Sequence, residues 1–141
     1  THGAKLMFAY GEATVPKVAV TLRRSYGGAH DVMSCKQLRG DFNYAWPTAQ
    51  IAVMGAKGAI EVLYGKEVAA ITDPEAKAKF IAEKEEEYNH AFANPYKAAS
   101  YGYIDDVIEP RNTRFRVIRA FQSLQTKRVT NPMKKHSNIP L

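Results

Sequence analysis

Lys17-Val18-Ala19-Val20-Thr21-Leu22-Arg23-Arg24-Ser25-Tyr26-Gly27-Gly28-Ala29-His30-Asp31 is the stretch on which the reading of the whole chain turns. Lys17 to Leu22 is a short, apolar, β-branched run of the kind that forms a buried strand. Arg23 to Ala29 is expected to be a loop, and Ala29 to Lys36 a short helix. Small residues at Gly27-Gly28-Ala29 let a ligand approach the main chain, and N–H groups at the mouth of a helix point outward unpaired. Two such groups aimed at one point stabilise an oxygen that gains negative charge, which is an oxyanion hole. An ordinary tight turn accounts for the same residues, because neither the dinucleotide pattern nor the phosphate-loop pattern accompanies them.

Working outward, Ala4, Leu6, Met7, Ala9 and Tyr10 recur at helical spacing, and Val15-Pro16 stops that helix. On the other side, Asp41 to Thr48 reads as irregular around the rigid corner Trp46-Pro47, Ala49 to Met54 as a strand, and Gly55 to Tyr64 as a helix. Asp73-Pro74-Glu75 is a helix start with an Asp cap and Pro at the first helical position, and that helix should run to about His90. Tyr103 to Ile108 is expected to be a short strand. Pro110 opens a last helix with Val117, Ile118, Phe121 and Leu124 on one face. The tail from Asn131 to Leu141 is expected to be extended. Strands alternating with helices make the fold class α/β. Three strands form no closed sheet, so the domain is expected to belong to a larger one or to complete itself against a partner subunit.

The chain has 141 residues, is 45% hydrophobic and 24% charged, and so suits one globular domain rather than a disordered or fibrous chain. No uncharged stretch reaches the roughly 20 residues of a membrane helix. Cys35 alone forms neither an internal disulfide nor a zinc site, which favours a reducing compartment. The opening residues include no initiator methionine and no visible targeting peptide. Residues 1–110 hold 12 basic and 14 acidic side chains, whereas Arg111 to Leu141 holds eight basic and none acidic. That block reads first as the solvated face of an amphipathic helix; nucleic-acid binding would rest on charge alone.

Acid-base and metal chemistry find little support. His2, His30, His90 and His136 form no ligand pair, and His30 alone adjoins the glycine loop. No Gly-x-Ser-x-Gly elbow occurs. Asp31 is either a first-turn carboxylate favoured by the helix dipole or a wall of a substrate pocket. Tyr44, Trp46, Tyr101 and Tyr103 are expected in the core, and Cys35 is expected to be buried.

Several stretches together resemble one family. His2-Gly3-Ala4-Lys5-Leu6, Tyr26-Gly27-Gly28-Ala29, Asp31-Val32-Met33-Ser34, Leu38-Arg39-Gly40-Asp41, Asn43-Tyr44-Ala45-Trp46-Pro47-Thr48-Ala49, Met54-Gly55-Ala56-Lys57-Gly58 and Gly102-Tyr103-Ile104-Asp105-Asp106 resemble the carboxyltransferase subunits of biotin-dependent acyl-CoA carboxylases. The ending Ser137-Asn138-Ile139-Pro140-Leu141 is similar to that of the propionyl-CoA members. The resemblance implies a crotonase-like (ClpP/crotonase) fold with two related domains per subunit, residues 1–141 being the latter part of the second. It implies a hexamer whose active sites lie between the first domain of one subunit and the second domain of another. A carboxyl group would pass from carboxybiotin to propionyl-CoA, giving methylmalonyl-CoA. Biotin would be carried covalently by a biotin carboxylase and biotin carrier α subunit, which also uses ATP.

By motif, Gly28 and Ala29 would supply the biotin-side oxyanion hole, with Tyr26, Gly27, His30 and Asp31 lining the substrate. Asp31 would set acyl specificity, its charge discouraging longer apolar chains. His30 stands where the family usually has Tyr, Cys35 where it has Ser, and Tyr101 where Arg is frequent. The enolate oxyanion hole and most of the CoA site would lie in the first domain, so this segment alone is expected to be inactive. A same-fold decarboxylase, an acetyl-CoA carboxylase subunit and a non-catalytic assembly segment are the alternatives. The family implies the mitochondrial matrix in eukaryotes and the cytoplasm in bacteria, with no metal, nucleic-acid or membrane partner.

Overall fold

The computed structural model describes residues 2–133. Helix α1 (His2–Glu12) leads into β1 (Val18–Thr21), then β2 (Arg24–Tyr26) and α2 (Gly27–Val32). After a 3-10 turn at Lys36–Leu38 come β3 (Phe42–Ala45), β4 (Gln50–Ala52), α3 (Ala56–Leu63), α4 (Gly65–Ala70), α5 (Pro74–Ala91), α6 (Pro95–Ser100), β5 (Asp106–Val107) and α7 (Thr113–Ser123). The expected tail lies, beyond Met133, outside the described residues.

The strands form two small sheets, ordered β1-β3-β5 and β2-β4, with every pairing parallel. Twice the chain runs from the first sheet into the second within a few residues. Leu22 and Arg23 join β1 to β2, while Trp46 to Ala49 joins β3 to β4. The two bends lie side by side: the Trp46 N–H donates to the Thr21 carbonyl at 2.9 Å and the Gln50 N–H to the Arg23 carbonyl at 2.7 Å. The Thr48 hydroxyl closes the corner on the Leu22 carbonyl at 2.7 Å.

Two expectations are corrected here. Asp41 to Thr48 is not irregular, since Phe42–Ala45 is the central strand of the larger sheet. Arg23 to Ala29 is not one loop but contains β2 and the first turn of α2. Arg24-Ser25-Tyr26 has no local strand pattern; its register against Gln50, Ile51 and Ala52 makes it one. Two further helices, α4 and α6, were not expected. Asn94 caps α6 by accepting from the Lys97 N–H at 2.9 Å, with Pro95 at the first helical position. This is the arrangement that starts α5, where Asp73 accepts from the Ala76 N–H.

The core is small and rich in alanine. One cluster joins Ala45, Ala49, Ile51, Ala98 and Ile104; the other joins Tyr44, Ile108 and Ala120. Trp46 packs on the second and donates from Nε1 to the Thr113 hydroxyl at 2.8 Å, fixing α7. Cys35 is buried as expected. Of the four aromatics expected in the core, only Tyr44 is fully buried and Trp46 partly so, while Tyr101 and Tyr103 are exposed. On α7, Ala120 turns inward and Ile118 and Phe121 remain exposed. Parallel strands are usually covered on both faces, yet β1 is only half-buried throughout. Among the described residues no helix is long and apolar enough to cross a membrane.

A candidate anion-stabilising turn

β2 delivers the chain to the glycine turn. Tyr26 is extended, at φ −115° and ψ 133°, and α2 begins at the next residue. Gly27 has φ +50°, and a Cβ there would lie 2.8 Å from the Val53 carbonyl oxygen, which cannot move aside as a side chain could. Backbone conformation and lack of space both require glycine at this point. Gly28 is the opposite case, because a Cβ on it would meet nothing within 4 Å. The Gly28 and Ala29 N–H groups belong to the first turn of α2, where a helix offers no acceptor of its own. Among the described residues neither donates in a backbone bond between elements. Both residues are exposed.

Helix α2 separates two clefts. One, of about 700 Å³, has Gly27, His30 and Asp31 on one side and Leu63, Phe92 and Lys97 on the other. The second, of about 740 Å³, follows the open edge of β1 and includes Ser25, Ala29 and His30. The structure thus brings Gly27, His30 and Asp31 to one cleft and Ala29, with His30 again, to the other. Gly28 lines neither. Tyr26 lines neither as well: its hydroxyl donates to Gln50 Oε1, and its ring lies 3.2 Å from where a Cβ on Gly55 would be.

His30 is half-buried, with Nδ1 2.9 Å from the Ser25 hydroxyl. Burial lowers its pKa below the ordinary value of 6.5, against the opposing pull of Asp31. At neutral pH the ring is therefore uncharged, and the Ser25 hydroxyl fixes its orientation. Asp31 is exposed at the cleft rim.

The opposite wall was not legible beforehand. Tyr88, Phe92, Lys97, Tyr101 and Tyr103 come from α5, α6 and the turn after it. The Asn94-Pro95 cap signal could have located α6, but nothing local says that it faces α2. Among the described residues no group of three His, Cys, Asp or Glu side chains gathers as a metal site. Two N–H donors that have no backbone partner between elements among the described residues, beside open space, suit a neutral, strongly accepting oxygen such as that of a urea. The chain therefore fits the group that its family resemblance implies.

Residues 1–139 match the family model described as the carboxyl transferase domain. The chain is 62% identical over 140 residues to the propionyl-CoA carboxylase beta chain of Cereibacter sphaeroides, covering 99% of this chain and 26% of that protein. It is 51% identical to the methylmalonyl-CoA decarboxylase subunit alpha of Propionigenium modestum, again with 99% and 26% covered. Among solved structures it is similar to transcarboxylase 12S, a hexamer crystallised with methylmalonyl-coenzyme A and methylmalonic acid. There the identity is 51% and the TM-score 0.87, over 99% of this chain and 26% of that one. The chain thus spans about a quarter of the length of these relatives. Its α/β architecture is the crotonase-like fold of these carboxyltransferases.

Proposed function

The chain belongs to the carboxyl transferase domain family, and from that premise we propose that it forms the biotin-side half of the active site of an acyl-CoA carboxyltransferase, within a longer subunit acting on propionyl-CoA. The observation that carries this reading is the pair of open main-chain N–H groups at Gly28 and Ala29, held by a glycine that tolerates no side chain. Carboxybiotin, brought by the partner subunit, supplies the carboxyl group. Biotin bound here would present a urea oxygen that gains negative charge as the carboxyl group leaves, which is the chemistry the group would supply. The Gly28 and Ala29 N–H groups hold that oxygen, and each such donor contributes about 3 kcal/mol in the transition state. They are main-chain groups on a fixed helix turn, so little reorganisation accompanies the reaction.

His30 borders the turn as a neutral side chain, so it adds no competing charge. Asp31 places a carboxylate at the rim of the apolar cleft, where it disfavours long apolar acyl chains. Activation of the acyl-CoA falls to the remainder of the subunit. A hexamer, as in the transcarboxylase 12S relative, is the expected assembly.

The test uses the full-length subunit with its biotin-bearing partner. Gly28→Pro removes one donor, and Pro is tolerated in a first helical turn; it should lower kcat by roughly 10²- to 10³-fold. Gly28→Ala keeps the donor and meets no protein atom, so its loss should be much smaller than that of Gly28→Pro. Equal kcat for both variants, with unchanged melting temperatures, would refute the assignment. Transfer of the carboxyl group in the decarboxylating direction alone would favour the Propionigenium-like reading over the carboxylase.

A further inference from the structure

The two clefts that α2 separates have one residue in common among the described residues, and it is His30. One of them also holds Ala29, a donor of the glycine turn, and the other holds Asp31. A hydrogen bond fixes the His30 ring across that turn, because Nδ1 lies 2.9 Å from the hydroxyl of Ser25, which is on β2, while His30 is on α2. Nε2 is left as the free ring nitrogen, since His30 has no other hydrogen-bond partner among the described residues. The hydroxyl then assigns the tautomer. Ser25 has one proton to give and no other acceptor for it among the described residues, so it donates to Nδ1 and the ring's own hydrogen sits on Nε2. Nearby cations do not share this place. Lys17 commits Nζ to the Tyr10 carbonyl, and Arg23 and Arg24 line only the cleft beside β1.

The carboxyltransferase reading above, on which this inference rests, has the carboxyl group start beside Ala29 and end on an acyl group beside Asp31. Its path then runs past the one side chain that borders both clefts. We propose that His30 Nε2–H is a third donor of the site, bonding an oxygen of the carboxyl group between the two clefts, and that Ser25 is the positioning residue that keeps this hydrogen in place. His30 neither gains nor loses a proton in this role. A neutral donor suits it, because a cation would bind the carboxylate on either ligand more tightly than it helps the passage between them.

The experiment measures the affinities of the full-length subunit for methylmalonyl-CoA and propionyl-CoA by calorimetry; the two ligands differ only by the carboxylate. His30→Leu should weaken methylmalonyl-CoA by about tenfold and leave propionyl-CoA unchanged. His30→Gln, whose amide keeps a donor on the side chain, should recover most of that loss. Ser25→Ala should weaken methylmalonyl-CoA by about threefold, because the ring's hydrogen is then shared between two nitrogens. Added to His30→Leu, it should have no further effect. Equal weakening of both thioesters, no change in either, or additive losses in the double variant would overturn the pair and leave the glycine turn untouched. A preference for methylmalonyl-CoA that survives His30→Leu and falls as salt rises would overturn it too, giving the role to Arg23 and Arg24. Failure of the wild-type subunit to bind either thioester would overturn the functional reading itself.

Discussion

Two regions on either side of β1 treat polar groups in opposite ways. At the start of β1, Asp41 Oδ2 accepts from the Lys17 backbone N–H at 2.7 Å and from Lys127 Nζ at 2.8 Å. Lys127 also donates to the Val15 carbonyl and Lys17 Nζ to the Tyr10 carbonyl, so three segments distant in sequence, residues 10–17, Asp41 and Lys127, meet on one carboxylate and its partners. Beyond the other end of β1, the glycine turn leaves its N–H groups open. Partners satisfied inside the chain hold the fold, whereas donors left unsatisfied on a rigid frame are available for a ligand.

The contrast can be broken at the hub first, where the largest change in stability is expected. Asp41→Ala leaves Lys17 and Lys127 without their carboxylate, and the Asp41 and Lys127 side chains are only 18% and 12% exposed. Chemical denaturation of the full-length subunit should show a loss of about 3 kcal/mol. Adding Lys127→Met should restore part of it; a single variant as stable as wild type would mean that the hub is ornamental to folding.

Gly27→Ala strikes the turn instead. It forces a side chain into a left-handed conformation and against the Val53 carbonyl, and should cost about 2 kcal/mol. Its effect on carboxyl transfer should exceed its effect on stability, because the neighbouring donors move with it. If activity and stability fall in proportion, the turn does no more than support the fold.

The smallest effect separates the two regions by pH. His30 has a folded pKa below its ordinary 6.5, so the stability linked to its neutral form is complete above that value and is lost as pH falls toward the folded pKa. At Asp41 burial alone would raise the pKa, but the hydrogen bonds from Lys127 and the Lys17 N–H outweigh it and hold the carboxyl below its ordinary 3.8. Its contribution is complete above 3.8 and is lost only below it. Stability measured against pH should therefore decline in two windows. His30→Gln should remove the upper one alone, and Asp41→Asn the lower; a profile with both windows intact in His30→Gln would sever the turn from the upper step.

Local pattern sufficed wherever one short stretch carries its own signal. Val18–Thr21 is apolar and β-branched, Asp73-Pro74 caps and starts α5, and Gly27-Gly28-Ala29 marks the turn by its lack of side chains. It failed at Arg24–Tyr26 and Phe42–Ala45, which are strands because partners far along the chain complete their hydrogen bonds. It failed also at Lys97, Tyr101 and Tyr103, placed in the cleft by α6 rather than by their own neighbours.

The amino-acid sequence alone determined the α/β class, the family and the position of the glycine turn, since glycine's conformational range and proline's restrictions act within a few residues. Tertiary structure decided which N–H groups stay open and which walls face each other. Those properties depend on distances between segments remote along the chain, and residue order does not contain distances.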